Sequence, residues 1–217
     1  MKLKLLAAFC GGLLLTGTAL AGERHAQYKV TITNLTKAQA FTPILALSHR
    51  WGVHPFTVGE PASDALSALA EGGDVAPLST MMSGNRKVVD IKHSEGLLKP
   101  GETTTIMLDA PSHARRISLA SMLIPTNDSF IGLDNVVAPR KGKLTYWVPA
   151  FDAGTEPNDE LCISIPGPVC SGEGGSPGSS GEGYVHISSG IHGIGDLEPA
   201  TYDWRNPAAK VTIQRVR

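Results

Sequence analysis

Gln27-Tyr28-Lys29-Val30-Thr31-Ile32-Thr33 alternates polar and apolar residues at period two, and Asn34-Leu35-Thr36 follows with turn-favouring types. Successive side chains of a strand point to opposite faces, so the pattern is that of a strand with one face buried and one solvated. The same signature, or a short β-branched apolar run, predicts further strands at 44–48, 87–92, 103–109, 117–124, 143–148, 184–188 and 210–216. Lys99-Pro100-Gly101-Glu102 is a turn before one of them, with Pro presetting φ and Gly accepting positive φ. One helix is expected over 61–71, opened by Pro61, rich in alanine and stopped by Gly72-Gly73, with its apolar stripe at 62, 65, 66 and 69. About eight strands with turns between them and one short helix, expected to cover an edge or end, define an all-β antiparallel sandwich.

The beginning of the chain sets the compartment. Met1-Lys2-Leu3-Lys4 is a basic start, 5–15 is an almost unbroken apolar run, and Ala19-Leu20-Ala21 is a small-x-small cleavage pattern. That is a signal peptide over 1–21, and its apolar run is shorter than the roughly 20 residues a spanning helix needs. Cys10 leaves with it. The remaining 22–217 suits one domain, with no second apolar run able to span a membrane. Losing Lys2 and Lys4 takes the 19 basic residues to 17 against 20 acidic ones, a formal charge of −3. No contiguous basic run points to nucleic acid.

Cys162 and Cys170 remain, eight residues apart, and an exported chain with one close pair is expected to oxidise it to a disulfide. The bridge would pin the base of a Gly/Ser-rich segment, 167–183, whose composition is that of a flexible loop.

Two acidic segments each follow a strongly apolar strand: 125–135, carrying Asp128, and 149–160, carrying Asp152-Ala153-Gly154-Thr155-Glu156. If the two preceding strands lie side by side with their ends together, Asp128, Asp152 and Glu156 converge. Three carboxylates, with a glycine to curl the backbone and aim a carbonyl inward, suit calcium, which takes six to eight oxygen ligands in a flexible shell. Asp and Asn are equally the residues turns favour, so spacing alone leaves an ordinary acidic turn open. Tyr146, Trp147 and Phe151 lead into the second segment and are expected to pack beneath it. Tyr202 and Trp204 are expected to turn inward from a later loop.

Four blocks resemble a known family: 28–36, Gly59-Glu60-Pro61-Ala62-Ser63, Ser121-Met122-Leu123-Ile124-Pro125-Thr126-Asn127-Asp128 and Asp152-Ala153-Gly154-Thr155-Glu156. In this order they are similar to a bacterial spondin-domain protein, the domain found in the animal matrix proteins F-spondin and mindin. The resemblance implies a sandwich related to calcium-dependent lipid-binding domains, secretion, and a role in adhesion. It implies calcium ligands at Asp128, Asp152 and Glu156. The chain departs from the family pattern at Thr126-Asn127-Asp128-Ser129-Phe130, where the aromatic is displaced by one, and at Glu156, where the family has Asp.

Histidines supply the rival constellation: His49 with His54, and His186 with His192. Imidazoles suit zinc or copper, which makes a periplasmic metal-dependent enzyme or metal-handling protein the alternative. A serine nucleophile needs a constrained turn, and the composition around Gly178-Ser179-Ser180-Gly181 is too flexible to hold one, so catalysis is not expected. The expected role is an exported calcium-binding module, periplasmic or secreted, for an extracellular or periplasmic protein, glycan or surface partner.

Overall fold

A computed structural model describes residues 26–175 and 180–216. The expected signal peptide lies outside the described residues. The strands are β1 (Ala26–Asn34), β2 (Ala40–Phe41), β3 (Leu45–His49), β4 (Val88–His93), β5 (Thr103–Ala110), β6 (Arg116–Ile124), β7 (Ser129–Val137), β8 (Lys143–Val148), β9 (Ala150–Asp152), β10 (His186–Ile187) and β11 (Ala209–Arg215). The helices are α1 (Asp64–Gly72), α2 (Val75–Ser83) and the single turn α3 (Pro199–Tyr202). A four-stranded sheet runs β5-β1-β11-β8 and a larger one β10-β9-β7-β6-β3-β4, with β2 also on β6; every pairing is antiparallel. The fold is the expected all-β sandwich.

The main core lies between the sheets. Tyr28, Val30, Ile32, Ile106, Leu108, Val211 and Ile213 face Ile44, Ala46, Ile117, Leu119, Leu123 and Ile131 across it. Each large side chain so buried stabilises by about 1.5–3 kcal/mol relative to exposure. A second cluster lies on the other face of the larger sheet, where Leu45, Leu47, Phe56, Phe130 and Phe151 meet Leu66, Leu69 and Leu78 of the helices. The helical element is therefore a hairpin laid on a sheet face, not one helix over an edge. Sandwiched on both sides, β3 is buried throughout and β6 nearly so, which removes the period-two alternation from their sequences.

The helix hairpin has clear local causes. Ser63 Oγ accepts from Leu66 N at 3.2 Å to start α1. Gly73, with φ +69°, ends it, and Asp74 at once accepts from Ala76 N at 2.9 Å to open α2. A Cβ on Gly73 would stand 2.6 Å from the Thr42 side chain. The hairpin turn is thus wedged against the loop between β2 and β3.

Cys162 and Cys170 form the expected disulfide. Much of the Gly/Ser-rich segment is tied down: Ser171 N donates to Gly167 O at 2.8 Å, Gly172 N to Ile165 O at 2.9 Å and Gly183 N to Gly154 O at 2.8 Å. Residues 176–179 of this segment lie outside the described set. Its glycines serve close approach: a Cβ on Gly172 would stand 2.0 Å from Cys162 O.

Candidate metal centre

The turn between β6 and β7 delivers Asn127-Asp128, and β9 pairs with β7 so that Ser129 lies opposite Asp152. Asp128 is thereby set beside the turn that follows Asp152, and Ala153 N donates to Asp128 O at 3.2 Å. The segment 125–135 is not one acidic loop, since 129 onward is β7, and that strand is what joins the two turns.

Past Asp152 the backbone curls. Asp152 Oδ1 accepts from Gly154 N at 2.8 Å, and Gly154 has φ +67°. The Gly154 carbonyl does not turn inward toward the carboxylates; it accepts from Gly183 N. Thr155 N, Thr155 Oγ1 and Glu156 N then point back to Asp128 Oδ2 at 2.8, 3.2 and 3.1 Å. Among the described residues Asp128 Oδ1 is buried with no N–H or hydroxyl donor, and the Asp152 carboxyl beside Asp128 can share a proton with it.

Asp128, Asp152 and Glu156 are 0%, 1% and 1% exposed, so the three expected ligands lie inside the protein rather than on an open turn. Burying an ionised carboxylate is costly unless a partner compensates it. Burial, then the neighbouring Asp152 carboxylate, pushes the Asp128 carboxyl up to about 7, against the opposing pull of the Glu156 and Thr155 N–H groups. Burial also raises Asp152, with Glu182 adding to the rise and the Gly154 N–H, His186 and Asn158 pulling down.

Two residues not assigned to the site from sequence complete the junction. His186, opposite Asp152 on β10, places Nε2 3.4 Å from Asp152 Oδ1 and 3.6 Å from Glu182 Oε2. Among the described residues, Asp152, Glu182 and His186 are the trio of metal-ligating side chains whose ligand atoms all lie within 4.8 Å of one another. The expected trio, Asp128, Asp152 and Glu156, does not close within that distance and shares only Asp152 with this group. Burial lowers His186, but the Ile187 carbonyl, Asp152 and Glu182 together hold its pKa above the ordinary histidine value. From sequence His186 stood out only as half of the rival His186–His192 pair and by its alternation within 184–188; its strand partner is set by tertiary pairing.

The frame around the site is polar and buried. Asn127 Oδ1 accepts from Glu160 N at 3.2 Å, and Asn127 Nδ2 donates to Asp159 Oδ1 at 3.1 Å. The Glu160 carboxylate accepts from His192 N, Gly193 N and Ile194 N at 2.5, 2.7 and 3.0 Å. Beneath lie Phe56, Phe130 and Phe151, with ring centroids 5.1–5.7 Å apart. Phe151 packs as expected and Tyr146 packs against the main core, but Trp147 faces outward, 63% exposed, because β8 alternates and places 147 on the solvent side. Trp204 turns inward as expected, with Tyr202 partly buried beside the core.

Among the described residues the other histidines form no metal-ligating group, although His49 and His54 meet around Ser118 and Asp134, where Ser118 Oγ donates to Asp134 Oδ1 at 3.4 Å. His49 is buried between Arg50 O at 2.8 Å and Ser118 Oγ at 2.9 Å, and burial lowers its pKa. His54 Nδ1 pairs with Asp134 Oδ2 at 2.5 Å. His192 Nδ1 lies 4.0 Å from Glu160 Oε1.

The chain is a two-sheet antiparallel β-sandwich with buried carboxylates where its loops meet. Residues 26–158 match the spondin N-terminal domain model, Spondin_N, and the chain belongs to that family. No curated protein matches the chain. Membership suggests an extracellular, adhesion-type module, in keeping with the disulfide; the family is not known as enzymatic. The matched stretch holds Asp128, Asp152 and Glu156, while Glu182, His186 and the disulfide lie beyond it. So does β11, which sits between β1 and β8 and completes the four-stranded sheet. Among the described residues no helix is long and apolar enough to cross a membrane.

Proposed function

We propose that this protein is an exported binding module in which Asp128, Asp152 and Glu156 hold a calcium ion that clasps two loops at one end of the sandwich. The observation that carries the reading is Asp128 Oδ1, buried with no N–H or hydroxyl donor among the described residues and set beside a second buried carboxyl. Two like charges in low dielectric raise each other's pKa until one is protonated or a cation compensates them. A divalent ion accepts such oxygens directly, and calcium tolerates the longer reach of Glu156. The oxygen donors of these three side chains are of the type that ion takes. Its role is structural: it neutralises the junction, and the Thr155 and Glu156 N–H groups keep Asp128 oriented. The signal peptide and the disulfide support export. The partner is an extracellular or periplasmic protein, glycan or surface.

The test is thermal melting with calcium and with chelator. Calcium at a hundredfold excess over its Kd stabilises by about 2.7 kcal/mol, or about 5–10 °C for a domain of this size. Asp152→Asn is expected to remove most of that rise. Equal melting temperatures in calcium and chelator for the unmodified protein would sink the reading.

The Asp152, Glu182 and His186 group favours a second reading, since an imidazole nitrogen suits zinc or copper better than calcium. Zinc or copper at unit stoichiometry in the purified protein would support it.

A further inference from the structure

The outer face of the four-stranded sheet carries an ordered array unconnected with the carboxylate junction. In register across β5, β1, β11 and β8, one rank reads Thr105, Thr31, Thr212, Thr145. The rank on one side is Thr103, Thr33, Lys210, Trp147, and on the other Met107, Lys29, Gln214, Lys143. All these positions alternate with core residues such as Val30, Ile32, Ile106 and Val211, so they stand on the solvent side. Three ranks of four hold six threonines, three lysines and one open tryptophan, and no carboxylate. One rank further, Asp109 of β5 lies opposite Gln27 on the same face, so three lysines stand against one carboxylate and the face is net positive on a chain whose formal net charge is −1.

The array is stiff. Threonine is restricted at χ1, and the hydroxyls are paired: Thr33 with Thr103 at 2.9 Å, Thr145 with Thr212 at 3.1 Å and Thr31 with Thr105 at 3.4 Å. Strands about 4.8 Å apart make a platform about 14 Å wide, with ranks about 7 Å apart along the strands. Among the described residues Lys29, Lys143 and Lys210 form no ion pair. Beyond the Lys143 rank, where β11 ends and β8 begins, Arg115, Arg140, Lys141 and Arg215 line a cavity of about 300 Å³. These cations are separated in sequence and meet only in the fold, at the end of the sandwich, where Ala26 and Arg215 stand on the core-facing side of their strands.

We infer that this face binds an acidic polysaccharide, a chain of uronic-acid sugars. Each threonine hydroxyl both donates and accepts, as sugar hydroxyls do. Trp147 offers a flat apolar ring to the C–H face of a pyranose, and the lysines give charge-assisted contacts to uronate carboxylates. A preorganised platform loses little entropy on binding. A phospholipid membrane fits less well, because the face is a flat hydroxyl sheet without an apolar wedge. The inference deepens the adhesion-module reading and rests on it only for the general role.

The test is affinity electrophoresis in native gels at fixed calcium, with hyaluronan as the uronate polymer and neutral dextran as the reference. The protein is expected to be retarded by hyaluronan and not by dextran, and less so as salt rises. Trp147→Ala and Lys210→Gln are each expected to weaken retardation about tenfold, equivalent to about 1.4 kcal/mol. Both side chains point to solvent, so melting temperature and its calcium response should stay as in the unmodified protein. The inference is overturned if hyaluronan does not retard the protein, or if both variants are retarded like the original. It is also overturned if anionic phospholipid vesicles capture the protein with the same sensitivity to substitution while hyaluronan does not. An intact calcium response without retardation rejects the polysaccharide face alone; retardation without a calcium response rejects the clasp alone.

Discussion

His186 and Asp152 are register partners across the β9–β10 ladder, and their side chains meet with Nε2 3.4 Å from Oδ1. On its other side Asp152 lies opposite Ser129, next to Asp128. One carboxylate thus joins three segments distant in sequence: 128–129, 152–156 and 182–186. Charge at that point governs how the loop end behaves.

Without a divalent ion, stability is expected to fall as pH rises. The Asp128 carboxyl is raised from 3.8 to about 7, so the folded state holds its proton more tightly than the unfolded chain does. That contribution is fully present below about pH 4 and is lost as pH rises to about 7. Asp152 and His186 are also raised and act in the same direction. Chelator-treated protein should melt higher at pH 5 than at pH 8. The gain from calcium should grow over the same interval, because protons and calcium compete for Asp128. A melting temperature in chelator that is flat or rising from pH 5 to pH 8 would contradict the burial of these carboxyls.

His186 separates the two candidate ions. Calcium prefers oxygen, so His186→Ala should leave most of the calcium-dependent rise in melting temperature in place. Any rise caused by zinc should be lost, since the variant removes its nitrogen ligand. Parallel melting series in the two metals check both outcomes.

The legible part of the fold was where one sheet face is wet. β1 and β5 alternate because only one side of each is buried, and both were read directly from pattern. β7 was hidden: its first half, Ser129-Phe130-Ile131-Gly132, is buried on both faces, and its second half carries Asp134 and Asn135, which read as loop. Gly132 looks like a strand breaker, yet it is where Phe56 packs, with only 2.5 Å for a Cβ. For the site, Asp128, Asp152 and Glu156 were marked by residue type and by family resemblance. His186 was marked only as a partner of His192 and Glu182 not at all, because nothing local to 182–186 records that β10 lies on β9.

Gly154 is a position where a single methyl group should break the junction. Its φ is +67°, and a Cβ there would lie 2.3 Å from Tyr184 O, a backbone atom with little room to move. Gly154→Ala is therefore expected to cost more than about 1 kcal/mol from backbone conformation alone, with the steric clash added. It should also displace the Thr155 and Glu156 N–H groups from Asp128. The calcium response should fall together with stability in a melting series, whereas a substitution on the distant sheet face should change neither.

Glu160 holds the frame from outside the set of expected ligands. It is buried, and it adopts φ +58° although it is not glycine. Its carboxylate takes three N–H groups from 192–194, while its own N–H reaches Asn127 beside Asp128. Left-handed backbone costs a non-glycine residue about 1–2 kcal/mol, so the carboxylate must return more than that. Glu160→Ala loses the charged acceptor and keeps the strain. With partial rehydration of the exposed 192–194 segment, a loss of about 2–4 kcal/mol in urea unfolding is expected. Glu160→Gly loses the same acceptor but relieves the backbone, so it should recover about 1 kcal/mol relative to Glu160→Ala. Glu160→Gln keeps one acceptor oxygen and should be the mildest of the three. If Glu160→Gly proved as stable as the original protein, the three N–H contacts would return no more than the backbone strain costs, which would overturn this account.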